Sequence, residues 1–490
     1  MLLYKLGDGP LADFDVVIRS GTVATASGVF EGDIGIAGEQ IAAVGKNLSK
    51  GRREINAKNR IVFPGGVDSH CHIEQPSSTG GVNADTFLSG TRAAVCGGTT
   101  SVICFAPQFK TTHIATSTAD YHARAERGAT CDYSFHLIVN RADQETLEAL
   151  PQLIAQGHRT IKVFMTYPSN RVDDAGLLNL MAVARRNQAF MVIHAEHHDM
   201  IMWMMEQLSA RGLTEAKHHC WSKPPVVERE AVHRVAAMAE LMDQPVQIFH
   251  VTCGEAAEEI RRAQARGLKI WGETCAQYLT LTADDLDKPN GEGAKWVCSP
   301  APRSVEEHEK LWEYIKTGVL DIVSSDHAPS NFGQNEGEKL PDGPNTSFAR
   351  MPNGVPGLET RLPILFSKGV VEGRIDLETF AAVSSRNPAR LFGLQSKGDI
   401  APGKDADIAI WDPEIKVTIK QENLHHDVNY TPYEGMTVTG WPTTTLSRGE
   451  VLWEDGEFKA APGRGRFLAR DPYEFIKPRG IFPGPFNPFE

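Results

Sequence analysis

The sequence predicts an α/β fold: a (β/α)8 barrel of the TIM type with a small β-sandwich built from both chain ends. Three observations predict it. Eight short β-branched or aromatic runs alternate through the middle of the chain with longer amphipathic segments rich in Ala, Glu and Arg. The first sixty residues instead alternate apolar and polar positions between glycine-bearing turns. The same texture returns late in the chain, so the two flanks are expected to pair in space.

The first flank, residues 1–62, contains "FDVVIRSGTVAT", "GDIGIAGEQIAAVG" and "GRREINAKNRIVFPG", short antiparallel strands by their period of two. The barrel, residues 63–394, contains the runs "RIVFPGGVDSH", "TTSVICF", "YSFHLIV", "RTIKVFM", "AFMVIHA", "PVQIFHVT", "LKIWGET" and "LDIVSSDH". Helical patterns such as "DAGLLNLMAVARRN" and "GEAAEEIRRAQARG" follow most of them. The second flank, residues 395–461, includes "GKDADIAIWDP", "IKVTI" and "TVTGWPTTTLSRGEVLWEDGEFKA". Residues 462–490 are dense in proline and aromatics and read as an arm. Tyr473, Phe475, Phe482, Phe486 and Phe489 need a surface to lie on, and a neighbouring subunit is the expected one.

At 490 residues the chain exceeds one ordinary core. A net charge of −12 disfavours nucleic acid and anionic membrane surfaces as partners. No run reaches the ~18 apolar residues of a membrane span, and the opening stretch lacks a signal-peptide pattern. The eight cysteines form no CxxC pair, so reduced, mostly buried thiols in a cytoplasmic protein are expected.

Polar residues then fall on the strand ends. His70 and His72 close the first run, Lys162 lies in the fourth, and His194, His250 and Asp326 close the fifth, sixth and eighth. Barrel enzymes assemble their chemistry where strand C-termini converge. Strand alternation points His70 and His72 one way and Cys71 the other. Singly, each residue has an ordinary explanation: strand-end histidines, a snorkelling lysine, an aspartate capping a helix. Joint placement on five strand ends argues instead for a site. Imidazoles and a carboxylate suit a divalent ion such as zinc. A neutral Lys162 amine that took up CO2 would become an anionic carbamate with two oxygens, able to bridge two ions. His197, His198, His218, His219, His425 and His426 lack such placement and read as surface or loop residues. His327, beside Asp326, fits a supporting position around the metal.

The order H-x-H, Lys, His, His, Asp resembles that of the amidohydrolase superfamily with a two-metal centre. The cyclic amidases, dihydropyrimidinase and hydantoinase, are more similar still. The matching motifs are "GGVDSHCHIEQP", "TRAAVCGGTTSV", "IKVFMTY", "HAE", "PPVVEREAVHR", "GETCAQYL", "CSPAPR", "SSDHAP", "MPNGVPGLETRLP" and "NPARLFGL", and "GDIAPGKDADIAIWDP" continues them. The resemblance implies one metal on His70, His72, carboxylated Lys162 and Asp326, and a second on Lys162, His194 and His250. It implies substrate contacts at Tyr167, Ser299 and Asn353, the last two through main-chain groups. Homotetramers, dimers of dimers, of cytoplasmic subunits are the family's habit. The expected reaction is hydrolysis of a cyclic ureide or imide ring amide to an N-carbamoyl amino acid. Tyr167 would donate to the developing oxyanion and Asp326 would move the proton.

Alternatives are an allantoinase-like ureide hydrolase and a non-catalytic scaffold of the collapsin-response-mediator kind, which loses metal ligands. Ile73, Glu74 and Gln75 stand where dihydroorotase-like members place an arginine, which disfavours that activity. Glu74, the loop "SSTGGVNAD" and Arg171 suggest that bulky aromatic 5-substituents are poorer substrates than small or polar ones. "HAEHHD" departs from the usual "HAENGD".

Overall fold

The computed structural model describes residues 13–76, 82–109 and 111–489. The eight barrel strands are β1 (Gly66–Cys71), β2 (Thr99–Ala106), β3 (Asp132–Ile138), β4 (Thr160–Phe164), β5 (Phe190–His194), β6 (Val246–Ile248), β7 (Ile270–Cys275) and β8 (Leu320–Ser324). They form one parallel sheet in sequence order. These strands are buried on both faces, which is why they read as near-continuous apolar runs. Alternation within β4 is clear. Ile161 and Val163 join the layer under the helices, whereas Phe164 joins the barrel interior with Phe105, Val192 and Phe249. Lys162 shares the inward face, by the period of two. The helix Asp174–Arg186 shows the complementary period, burying Leu177, Leu180, Met181 and Ala184 and opening on an Asp173 cap.

Among the described residues there is no ladder between β1 and β8, and side chains with one main-chain bond hold the seam. Arg361, fully buried, donates to Val67 O at 3.3 Å and Val323 O at 3.0 Å, one carbonyl from each strand. Asp68 Oδ1 accepts from the Ser325 amide at 3.2 Å, and His72 N donates to His327 O at 2.6 Å. Two histidines and the aspartate of the expected site therefore face each other across this seam.

The flanks do pair. Strands Phe14–Thr25, Gly28–Ala37, Gln40–Gly45, Gly51–Asn56 and Ile61–Pro64 join Ile408–Thr418, Thr437–Ser447, Glu450–Glu454 and Glu457–Phe458 in one mixed sheet. The two ends meet where Val62 lies opposite Ile410. Val16, Ile34, Val62, Ile408 and Leu446 from both ends share one apolar core, so the sheet folds over on itself. "RIVFPGGVDSH" is thus two strands in two sheets, broken at Gly65. A Cβ there would lie 2.2 Å from Thr100 Oγ1, so only glycine passes.

The arm packs largely on its own chain. Arg470 is buried and donates to Gly157 O and Thr160 Oγ1. Tyr473 and Ile476 join Phe392 in the cluster that fills the barrel interior. Phe475 meets Trp271 with ring centroids 5.6 Å apart, and Phe489 lies 4.3 Å from the Arg185 guanidinium. Phe486, 77% exposed, is the aromatic left to meet solvent or a neighbour. Among the described residues no helix is long and apolar enough to cross a membrane. All eight cysteines are unpaired, and all but Cys220 are buried.

Candidate metal centre

His70, His72 and Asp326 converge across the seam, their donor atoms all within 4.8 Å of one another. His70 Nε2 lies 3.0 Å and His72 Nε2 3.5 Å from Asp326 Oδ1. The opposite ring nitrogens are committed. His70 Nδ1–H donates to Glu273 Oε1 at 2.6 Å, and His72 Nδ1–H donates to Gln75 Oε1 at 2.6 Å. Both Nε2 lone pairs then face a carboxylate oxygen, a repulsive arrangement unless a proton or a cation lies between them. Burial would lower the His70 pKa, but Asp326 and Glu273 outweigh it and raise it. Burial would raise the Asp326 pKa, but the His70 charge and the bonds from His70 and His72 hold it well below the carboxylate range.

The second half of the site lies deeper along the same rim. The rings of His194 and His250 are 4.4 Å apart, and His250 is 5.3 Å from His70. His194 Nε2–H donates to Glu196 Oε2 at 2.7 Å, which makes Nδ1 its lone-pair nitrogen. The same Glu196 oxygen accepts from Lys223 Nζ at 3.0 Å. His250 Nδ1 is buried without a hydrogen-bond partner, and so is Lys162 Nζ. Lys162 is fully buried, its Nζ 4.4 Å from the Phe249 ring centroid and 4.8 Å from that of Phe164. Burial lowers its pKa to about 7, although Asp326 and Glu273 favour the charge. Burial likewise lowers His194 to about 4 and takes His250 well below the imidazole range. Neutral imidazoles with lone pairs turned inward are the form that binds metal.

These donors fit a two-metal centre. Nitrogen and carboxylate ligands match a borderline divalent ion, and the outer partners Glu273, Gln75 and Glu196 fix the tautomers as such sites require. Two buried nitrogens without hydrogen-bond partners are costly unless a ligand satisfies them. His194, His250 and the buried Lys162 lie beside the His70, His72 and Asp326 cluster.

Backbone geometry marks the same residues. Tyr167, His250 and Asp326 have φ of 70°, 42° and 43°, a region that costs non-glycine residues about 1–3 kcal/mol each and recurs at functional sites. The Tyr167 ring is 5.1 Å from His194 and 5.4 Å from Lys223 Nζ. Burial raises its phenol pKa, helped by Glu196 and opposed by a hydrogen bond with Ser299. Ser299 is nearly buried, with Oγ 3.5 Å from His219 Nε2. Asn353 is exposed, beside a Gly354 amide that donates to Val297 O at 3.0 Å.

The chain's profile now has a geometry to be compared with. The model of the Amidohydrolase family matches residues 61–452. D-hydantoinase from Rhizobium radiobacter is 40% identical over 462 residues, 94% of this chain and all of the relative. The chain belongs to the amidohydrolase family. Within it, the solved dihydropyrimidinase from Brevibacillus agri NCHU1002 superposes with a TM-score of 0.90 at 38% identity, covering 94% of this chain and 99% of that one. The D-hydantoinase from Bacillus sp. AR9 gives 0.90 at 39%, covering 94% and 100%. This amidohydrolase is accordingly one of the hydantoinases and dihydropyrimidinases, a family whose members carry a binuclear metal centre.

Several expectations for this amidohydrolase change. Glu74 Oε2 accepts from the Phe87 amide at 3.0 Å, at the start of the helix Phe87–Cys96. Residues 77–81 of the loop "SSTGGVNAD" lie outside the described residues. Arg171 leans on Asp199 at 3.4 Å. His218 and His219 are buried rather than on the surface, because His219 Nε2–H donates to Cys298 O at 2.8 Å beside Ser299. His327 is a support, with Nε2 3.0 Å from Asp85 Oδ2 and Nδ1 accepting from the Gly357 amide. Glu273 was missed, though it satisfies the strand-end rule that found the others: "GET" brings its carboxylate to the upper half of β7. Glu196 and Lys223 carry no comparable signal, because their meeting depends on how the loops after β5 fold back.

Proposed function

We propose that the protein hydrolyses the ring amide bond of a cyclic ureide or imide of the dihydropyrimidine and hydantoin type, giving an N-carbamoyl amino acid. The observation that supports this reading is the cluster of His70, His72 and Asp326 donors, with the His250 ring 5.3 Å from His70 and 4.4 Å from His194, and Lys162 Nζ buried and unpartnered among the described residues. His70, His72, Lys162 and Asp326 would hold one ion and Lys162, His194 and His250 the other, zinc by donor chemistry. Lys162 would serve as N6-carboxylysine: its neutral amine would add to CO2 and release a proton, leaving an anionic carbamate that would complete both ligand sets.

When bound, such ions supply Lewis acidity, making water nucleophilic at neutral pH and polarising a carbonyl. The protein's own part is positional. Main-chain groups of Ser299 and Asn353 pair with the imide and present one ring carbonyl to the rim. As water adds to that carbon, the Tyr167 phenol donates to the oxygen that gains charge. Its raised pKa keeps the proton available for that bond. Asp326 accepts the proton lost by the attacking water and delivers it to the ring nitrogen as the C–N bond breaks. The products balance as one carboxylate, one freed ureido N–H group and one proton released as the acid ionises.

Exposed Met202 and Trp203 on the helix His198–Ser209, with Phe486, supply apolar surface for a homotetramer, a dimer of dimers, in the cytoplasm. The testing experiment is a substrate panel on metal-loaded protein: hydantoin, dihydrouracil, 5-phenylhydantoin and allantoin, with products identified by mass. Ring opening of hydantoin or dihydrouracil to the N-carbamoyl amino acid supports the reading. Turnover of allantoin alone, or of none, refutes it.

A further inference from the structure

Lys339 stands in "NEGEKLPDGP", a stretch whose charges and prolines suggest an exposed loop, yet its side chain is fully buried. It belongs to the segment that follows Asp326. Its amide donates to Asn331 O at 2.9 Å, and the next residue, Leu340, packs with Val297, Phe348 and Met351. The ammonium meets no carboxylate. It donates to three main-chain carbonyls: Val297 O at 2.9 Å, Pro352 O at 2.8 Å and Gly354 O at 2.6 Å. Burial lowers the Lys339 pKa to about 7, but unlike Lys162 its Nζ faces three carbonyl acceptors, one for each N–H of an ammonium. The charged form is therefore the one that satisfies all three, in an arrangement that neither a neutral amide nor a planar guanidinium can copy.

The identity of those carbonyls is what matters. Val297 lies two residues before Ser299, while Pro352 and Gly354 flank Asn353 on either side. The two segments have just one direct tie among their main-chain bonds, Gly354 N to Val297 O. Lys339 adds two bonds on one side and one on the other, so the Ser299 and Asn353 backbones share a single cationic pin. A pin from the loop after Asp326 also relates both segments to the rim.

We infer that Lys339 is a positioning residue for the substrate: it fixes the spacing of the Ser299 and Asn353 main-chain groups that receive the two faces of the cyclic imide. This rests on the assignment of those groups as substrate holders in the proposed function. It makes binding sensitive to a lysine that touches neither substrate nor metal. A 1 Å displacement of positioning groups can change rates by about 100-fold, and contacts made equally in ground and transition states appear in KM rather than kcat.

The test compares Lys339→Met, Lys339→Gln and Gly354→Ala with wild type as purified holoenzyme, measuring metal content, KM and kcat for hydantoin. Lys339→Met should keep its metal and raise KM on the order of 10- to 100-fold, with kcat changing much less. Lys339→Gln, which retains two donors, should fall between, and it decides the matter if the methionine variant fails to fold. A cation that merely staples loops would lower thermal stability and leave KM native in the folded fraction, and that result overturns the inference. Gly354→Ala separates the two layers of the reading, because its new Cβ would lie 2.5 Å from Ala328 and shift the Asn353 segment directly. A raised KM in Gly354→Ala with native KM in both lysine variants removes Lys339 from the positioning role alone. Native KM in all three removes the substrate-holder assignment as well.

Discussion

Replacing Lys397 with methionine should weaken the tie between the barrel and the sheet built by the chain ends. Lys397 Nζ is nearly inaccessible and pairs with Asp132 at 2.7 Å, Asp407 at 2.9 Å and Asp405 at 3.0 Å. Asp132 opens β3, whereas Asp405 and Asp407 lead into the strand Ile408–Thr418. Burial alone would lower the lysine pKa, but Asp407, Asp132 and Asp405 outweigh it and hold it above the ordinary value. A raised folded pKa means this stabilisation is complete below the unfolded value, about 10.4, and is lost only as pH rises through the higher folded one. The deficit in the variant should therefore be constant between pH 6 and pH 9. Removing one member of a buried ion pair costs about 3–5 kcal/mol. Here some compensation survives: Arg448 Nε stays 3.2 Å from Asp132, and the Arg448 amide still donates to Asp407 at 2.7 Å. The lower end, about 3 kcal/mol, is the expected loss. The assay is urea unfolding followed by tryptophan fluorescence and circular dichroism, where the midpoint should fall by up to ~1 M. Adding Asp407→Asn to Lys397→Met should recover part of it. An unchanged midpoint, or no recovery in the double variant, would refute the electrostatic reasoning.

Three further outcomes are expected. Lys162→Ala and Lys162→Arg should both lose metal and hydantoin turnover while keeping a native far-ultraviolet spectrum, because neither can be carboxylated as an amine; a short carboxylic acid should restore part of the alanine variant's activity. Near-native turnover with two metals in Lys162→Arg would exclude the carbamate. Glu273→Gln keeps the shape but not the charge beside His70 Nδ1, and should weaken metal affinity by about 10–100-fold in competition with a chelator. Truncation after Arg470 removes buried Tyr473 and Ile476 from the barrel cluster; each buried side chain contributes about 1.5–3 kcal/mol, so melting should fall, with light scattering reporting separately on assembly.

Much of this architecture was legible in the chain because period and position are local signals. The eight barrel runs and the pairing of the flanks follow from alternation, and the strand-end rule picks out the residues of the proposed site. What escaped depends on return paths through space. The break at Gly65 was hidden because both halves of "RIVFPGGVDSH" are apolar, and only the fit against Thr100 separates them. Lys339 and Lys223 sit in polar loops whose composition mimics solvent exposure, and their burial is set by carbonyls and a carboxylate far away in sequence. Glu74 reads as a free carboxylate in sequence, but the helix beginning at Phe87 turns its first amide toward it. The arm was expected on a neighbour because its aromatics outnumber any local need visible in sequence, yet the N-terminal end of the barrel supplies that need.

The most direct test is a metal titration of ring opening. Protein stripped by chelator is titrated with zinc while hydantoin hydrolysis and bound metal per chain are measured on the same samples. The expected result is an inactive stripped protein whose turnover rises to a plateau at about two ions per chain, the number the six rim ligands can hold. Undiminished hydrolysis in protein that elemental analysis finds free of transition metal would contradict the two-metal site.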